Sequence, residues 1–178
     1  YQQLYTCTLP GGSGYAQPKN YEVWSTLRVK NNSGKPFTTG SVFVSKVQNS
    51  VNTPIAETQL NFTPAGLFSQ VKTTIAPDIS LVFSEEEINR SGSEHKYHVL
   101  VEIKGTIEIT NLKDKAIDLI IDKNITGFLG KSDLDWEAVS RFPSAGAINK
   151  ENAVKWNLKV DSGGKKTFTY QYKVHVNQ

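Results

Sequence analysis

The alternation of apolar and polar residues predicts β-strands along most of the chain. Residues 21–30 show a two-residue period that is typical of a half-buried strand. One phase of this segment holds Tyr21, Val23, Ser25, Leu27 and Val29, and the other holds Glu22, Trp24, Thr26, Arg28 and Lys30. The polar run 31–36 should end the strand, because glycine allows positive φ and proline cannot donate to a ladder. A second strand is expected at 42–47, followed by another polar run at 48–54.

A segment with a similar sequence recurs eighty residues later. Aligning VWSTLRVKNNSGKPF (23–37) with IKGTIEITNLKDKAI (103–117) matches three apolar positions and three polar ones without a gap. Thr26, Asn31 and Lys35 recur unchanged as Thr106, Asn111 and Lys115. Farther along, residues 60–75 resemble the end of the chain at an offset of 98, with Gly66 in the place of Gly164. The repeat favours two β-modules, although two β-hairpins can also resemble each other by chance.

The fold prediction is all-β, with two packed immunoglobulin-like antiparallel β-sandwich modules and at most one short helix. An N-terminal module is expected at 1–90 and a C-terminal one at 91–178, with the junction in residues 90–94. The spacing of the repeats is close to the roughly 100-residue size of an immunoglobulin-like sandwich. One continuous β-domain remains the alternative.

The change of offset from 80 to 98 predicts an insertion between about residues 123 and 153. Ser132 could cap a short helix that runs to Arg141, with acidic side chains near its positive end. Pro143 would stop such a helix. In the long strand before the insertion, Gly105 indicates a bulge or a close backbone approach.

Composition and charge exclude little beyond a few broad classes. The 178 residues have a net charge of +3, with seven basic and six acidic side chains up to Arg90, so neither half is a basic arm. We therefore predict no nucleic-acid partner, since nucleic-acid binding usually needs a concentrated Lys/Arg face. The sequence contains no run of eighteen apolar residues, so it predicts no transmembrane helix. The sequence lacks methionine even at position 1, so we expect a processed or excised piece of a longer chain.

Catalytic and metal sites have weak support in the sequence. A single cysteine, Cys7, rules out an internal disulfide framework and is better explained by packing than by nucleophilic catalysis. His95 and His98 should lie on opposite faces of a strand, and His175 should point away from the core. These residues give no structural-zinc spacing. We predict a non-enzymatic chain without a metal or another cofactor; the alternative is an enzyme or an enzyme's accessory domain.

Several segments, in order, resemble a bacterial domain of unknown function found at the C-terminal end of mucoidy-inhibitor-like proteins and their relatives. They are LRVKNNSGKPFTTG (27–40), FTPAG (62–66), APD (76–78), ITN (109–111), WNL (156–158) and KTFTYQYKV (166–174). Ser41 departs from the family, which commonly has proline there, and the insertion is only loosely similar. The resemblance implies a β-rich module of a larger bacterial envelope protein, in the periplasm or at the cell surface. It implies no catalytic residue.

Four aromatic side chains are the candidate binding residues. Trp24 lies on the polar face of its strand, and Phe128, Trp136 and Phe142 fall in the insertion, where loops on a rigid scaffold often bind partners. We expect a structural or protein-interaction module, whose partners include the missing N-terminal part of its own chain. Binding would use an exposed sheet edge or the patch around Trp136. The alternative is a glycan-binding module that uses these aromatics.

Overall fold

The computed structural model describes residues 1–12, 14–92 and 97–177, which are all-β and form antiparallel sheets without a helix. The predicted fold class is therefore confirmed. The first strands are β1 (Gln2–Gly12), β2 (Ala16–Tyr21), β3 (Trp24–Lys30), β4 (Gly40–Gln48), β5 (Val51–Leu60) and β6 (Phe68–Ile75). They are followed by β7 (Ile79–Gly92), β8 (His98–Asn111), β9 (Ile117–Thr126), β10 (Phe128–Ser132), β11 (Glu137–Arg141), β12 (Glu151–Val160) and β13 (Lys165–Asn177). His95 and part of the expected junction lie outside the described residues.

The chain forms two compact units with interleaved sequences. Unit 1 comprises Tyr1–Thr6 and Val23–Pro77, and unit 2 comprises Cys7–Glu22 and Asp78–Gln178. The expected modules 1–90 and 91–178 divide the chain differently. The difference arises because β7 pairs with β8 along most of its length and β2 pairs with β7, so both belong to unit 2.

Unit 2 has the sandwich-like packing of two sheets. One sheet has the strand order β11-β12-β9-β1 and the other has the order β10-β13-β8-β7-β2. Side chains from both meet in the core, where the Trp156 ring of β12 lies 5.2 Å from Tyr170 and 5.7 Å from Phe168 on β13. The predicted inward phases are confirmed at most of their positions, including Ile103, Ile107, Ile109, Ile117, Leu119 and Ile121. The immunoglobulin-like detail stays a prediction.

Unit 1 consists of a small sheet and a separate hairpin. The start of β1 pairs with β3, and β3 pairs with β6, whereas β4 and β5 pair only with each other among the strands described. The polar run 48–54 contains the turn of this hairpin. Asn49 and Ser50 both have positive φ, 49° and 62°, and form a tight turn from which β5 starts at Val51. Two positive φ angles match the two-residue turn that the twist of a hairpin favours.

The helix predicted from Ser132 to Arg141 is wrong. Residues 128–132 form β10 and pair with β13, and residues 137–141 form β11 and pair with β12. The acidic residue expected near a helix N-terminus, Asp133, instead accepts hydrogen bonds from the backbone N and the Oγ1 of Thr169, at 2.7 and 2.9 Å. Pairing with neighbouring strands therefore overrides the local helix signal. No helix of the described residues could span a membrane.

Two buried asparagines form the same corner in the two units. The Asn31 side-chain amide donates to the carbonyls of Lys35 and Thr63 at 2.8 and 2.9 Å, and its oxygen accepts from Ser33 N.

The Asn111 amide donates to the carbonyls of Lys115 and Asp161 at 2.9 and 2.8 Å, and its oxygen accepts from Lys113 N. Both asparagines are fully buried. These partners differ by 80 and 98 residues, the two offsets that the sequence repeat predicts.

Replacing Asn111 by alanine should destabilise the protein by about 1–3 kcal/mol, the usual cost of leaving buried polar groups unsatisfied. In this variant the carbonyls of Lys115, Val160 and Asp161 would lose the amide as a donor, although the Asp161 carbonyl would still accept from Gly164 N. Asn111→Asp is the matched variant, because a carboxylate can still accept from Lys113 N but cannot donate. Chemical denaturation should show that both variants are less stable than the parent. An Asn111→Asp protein as stable as the parent would contradict this role of the amide.

Asp133 should make stability depend on pH. The hydrogen bonds from Thr169 lower the pKa of Asp133 in the folded state. A lowered folded-state pKa means that the carboxylate contributes stability above the unfolded-state value, near 4, and that this contribution is lost as pH falls through the folded-state value. Asp133→Asn should therefore lower the melting temperature at pH 7 but have little effect near pH 2. An equal difference at both pH values in thermal denaturation would refute the linkage.

Candidate interaction surface

The four aromatics predicted as binding residues occupy three separate environments. Trp136 is half-buried, and its ring lies 5.8 Å from that of Trp156 and 6.4 Å from that of Tyr170. It therefore extends the aromatic core of unit 2. Phe128 and Phe142 share a neighbour instead, since the Lys150 ammonium lies 5.8 Å from the first ring and 5.4 Å from the second. The structure thus groups Phe128 with Phe142 around a lysine but does not show Trp136 in this group.

The remaining aromatic, Trp24, belongs to unit 1, where it lies on β3 opposite Ile75 of β6. Its ring is half-buried, and the Lys72 ammonium lies 5.9 Å from the ring centroid. Three recesses, of about 640, 420 and 240 Å³, are open on the described surface of the chain. None of these three recesses is lined by any of the four aromatics.

One face of the small sheet in unit 1 combines cations with aromatic rings. Cross-strand pairing places Arg28 opposite Gln70, Lys30 opposite Phe68, and Lys72 opposite the buried Thr26. The Arg28 guanidinium lies 4.1 Å from the Phe68 ring centroid, and the Lys30 ammonium lies 6.0 Å from the same centroid. We call this set the basic-aromatic face; its members are Trp24, Arg28, Lys30, Phe68 and Lys72.

The predicted strand pattern is wrong at Thr26. It falls in the phase expected to be polar and outward, yet it is fully buried, and its hydroxyl lies 2.9 Å from that of Thr6 on β1. Leu27 and Val29, in the expected inward phase, are only half-buried. A hydroxyl pair across two strands satisfies both side chains without water, so a threonine can be buried where the sequence pattern suggested solvent.

Charge is distributed unevenly between the two units. Unit 1 contains five basic residues and only one acidic residue, Glu57. All ion pairs found among the described residues lie in unit 2, so Arg28, Lys30 and Lys72 have no carboxylate partner within the described chain. When charges are counted for the sequence before and after Arg90, this difference between the units does not show, because the acidic run 85–87 is then counted with the first half although it belongs to unit 2.

The hairpin of β4 and β5 exposes large apolar side chains. Phe43 is 77% exposed, and Val47, Val51 and Ile55 are also exposed. Phe43 and Ile55 line the recess of about 640 Å³ together with Leu27 and Tyr1, while Lys46 is the only charged residue of its lining. Exposed apolar side chains that are grouped at one recess, as Phe43 and Ile55 are, mark interaction sites on soluble proteins.

Unit 1 has few buried apolar side chains of its own. Within this fully described unit they are Leu4, Tyr5, Val23, Val71 and Ala76. The large apolar side chains that it exposes are more numerous: Tyr1, Phe43, Val47, Val51, Ile55, Phe62, Leu67, Phe68 and Ile75. Since full burial of a large apolar side chain contributes about 1.5–3 kcal/mol, this surface can gain substantial free energy from a covering partner.

A buried polar cluster joins the two sheets of unit 2. The Lys123 ammonium on β9 lies 3.4 Å from Glu85 Oε1 on β7 and donates to the Pro10 carbonyl at 2.7 Å. Tyr170 donates its hydroxyl proton to the same Glu85 oxygen at 2.7 Å. Burial lowers the pKa of Lys123, an effect that Glu85 opposes, and burial together with the Glu85 charge raises the pKa of Tyr170.

Gly105 gives Tyr170 the room to reach Glu85. It lies on β8 between the two, paired with Tyr170 on one side and with Glu85 on the other. A β-carbon at Gly105 would come within 2.2 Å of the Tyr170 ring, so only glycine fits. The close approach predicted at Gly105 is made by the side-chain ring of Tyr170 and not by a neighbouring backbone, and the bulge given as the other possibility does not occur at this position.

The cluster fits a structural role better than a chemical one. The side chains of Lys123 and Glu85 are 1% and 5% exposed, which leaves a substrate no access to either group. Cys7 is also buried. Among the described residues, no three His, Cys, Asp or Glu side chains are grouped so as to hold a metal ion.

The strand patterns contained a signal for this cluster. Glu85 continues the inward phase of Ile79, Leu81 and Phe83, and Lys123 continues the phase of Ile121. A charged residue in the inward phase of each of two strands indicates a buried ion pair, since neither charge is tolerated in a core alone.

Replacing Lys123 by methionine should cost about 3–5 kcal/mol, because the change leaves the Glu85 carboxylate buried without its cation. Adding Glu85→Gln to this variant removes the unpaired charge while keeping an acceptor for Tyr170, so the double variant should regain most of the loss. The free energy of unfolding in urea measures both effects. A Lys123→Met protein within about 1 kcal/mol of the parent would show that the pair contributes little.

Comparison of the chain with protein-family models, with curated proteins and with solved structures found no match.

Proposed function

We propose that the chain is a non-catalytic protein-interaction module in which unit 1 carries the binding surface and unit 2 is the stable scaffold. The observation that carries the proposal is the exposed apolar surface of unit 1, centred on Phe43 and Ile55 at the 640 Å³ recess. Unit 2 differs in that its apolar residues fill a two-sheet core. A partner that covers the hairpin would bury side chains that the unit itself leaves in water.

A protein segment suits this surface better than a sugar does. Sugar platforms need an aromatic ring with an open face, and the four candidate rings each have close neighbours. Trp136 packs on other rings, and a lysine ammonium lies near each of Trp24, Phe128 and Phe142. The glycan-binding alternative thus has less support. The family resemblance noted above would place the module in a bacterial cell-envelope protein, and this setting belongs to the proposal.

A photoreactive phenylalanine analogue at Phe43 should form a discrete covalent adduct with another protein when the chain is expressed in its native cells. Phe43 and Val139 are similarly exposed, at 77% and 73%, so the same analogue at Val139 of unit 2 is the matched control. The adduct should be absent from the control and lost when Ile55, which lines the same recess, is replaced by serine. Ile55 is 43% exposed, so this position should tolerate the change with little loss of melting temperature.

Two results would contradict this proposal. One is equal labelling from Phe43 and Val139, which would reflect random encounter. The other is an adduct from Phe43 that survives the Ile55→Ser change, since the apolar lining of the recess would then contribute nothing to the contact. Mass spectrometry of the adduct identifies the bound protein and distinguishes a second copy of this chain from a different partner.

A further inference from the structure

We propose that the basic-aromatic face of unit 1 binds an extended acidic protein segment whose carboxylates lie on alternate residues. This inference rests on the proposed interaction function and adds the chemistry of the partner. It concerns Trp24, Arg28, Lys30, Phe68 and Lys72, a set distinct from the lining of the apolar recess.

Charge complementarity identifies the partner as an anion. Three of the five cations of unit 1 lie on this one face, and within the described chain none of the three has a carboxylate partner. Glu57, the only acid of unit 1, lies on β5 opposite Phe43 and is therefore outside the face. A partner that brings carboxylates would provide the charges that unit 1 lacks.

The spacing of the cations fits an extended chain. Arg28 and Lys30 are two residues apart on β3, and alternate residues of a strand point to the same side. The rise of about 3.3 Å per residue separates such positions by about 6.6 Å along the strand. An extended partner with acids at every second residue has the same repeat, so successive carboxylates can meet successive cations.

The rings on this face orient cations, which favours carboxylates over nucleic acid. Proteins that bind single-stranded nucleic acid use aromatic rings as stacking platforms for bases. Here the guanidinium of Arg28 already lies against Phe68, at 4.1 Å from its centroid. A stacked guanidinium still has N–H donors for a bidentate carboxylate, and the contact with the ring reduces the side-chain freedom lost on binding.

Fluorescence anisotropy of the full chain with a labelled peptide of alternating glutamate and threonine, about ten residues long, tests the inference. Binding should weaken about tenfold or more when Arg28, Lys30 and Lys72 are all replaced by glutamine, because each exposed ion pair contributes up to about fivefold. The control variant Lys35→Gln, Lys159→Gln, Lys165→Gln removes three exposed charges outside the face and should change the affinity much less. A peptide of the same composition with its glutamates in one block should bind more weakly.

Several outcomes would overturn the inference. They are no binding of the alternating peptide, equal binding of the block peptide, equal loss in the control variant, or tighter binding of an oligothymidine than of the acidic peptide. The last result would assign the face to single-stranded nucleic acid. Because the photo-crosslinking test uses Phe43, which lies outside the face, failure of the peptide with a persisting Phe43 adduct would refute the acidic partner alone. Loss of both results would refute the interaction function itself.

Discussion

A buried asparagine amide that donates to two main-chain carbonyls fixes the corner at the end of a strand, and the surface of unit 1 depends on this corner. The backbone of Asn31 bonds to the Leu67 carbonyl at 2.8 Å and to the Gly66 N–H at 2.8 Å. These bonds place the start of β6 opposite the end of β3, with Lys30 paired to Phe68. A register slip of one residue would turn every β6 side chain to the other face, so the corner determines which side chains join the cations of β3.

The repeat made much of the fold predictable from the sequence. Inward apolar phases located β8, β9, β12 and β13, and the matched Asn31 and Asn111 marked two equivalent corners. Prediction failed where local signals were weaker than pairing between strands. Residues 132–141 were predicted as a capped helix because capping is recognised from neighbouring residues alone. The hydrogen bonds that decide the structure come from Thr169 and β12, which are distant in the sequence.

The candidate surface could not be predicted because it depends on which segments fold together. The sequence indicated that Trp24 lay on a polar face with Arg28, and the structure keeps them on that face. The sequence did not indicate that Phe68 and Lys72 would lie on the same face. It also did not indicate that residues 7–22 and the acidic run 85–87 would belong to unit 2. The basic character of unit 1 emerges only after this division, since the charges are nearly balanced along the sequence.

The two units use charge and apolar surface in opposite ways. In unit 2 even a buried lysine has a carboxylate, and the large apolar side chains of β8, β9 and β13 are inside. In unit 1 the cations Lys30 and Lys72 are exposed and Arg28 is half-buried, all three without a carboxylate partner within the described chain, and Phe43 and Ile55 stay exposed. A partner that binds only the folded state adds its binding free energy to the stability of that state. The unit that buries least by itself therefore has the most to gain from a partner, which is why recognition is better assigned to unit 1 than to the well-packed unit 2.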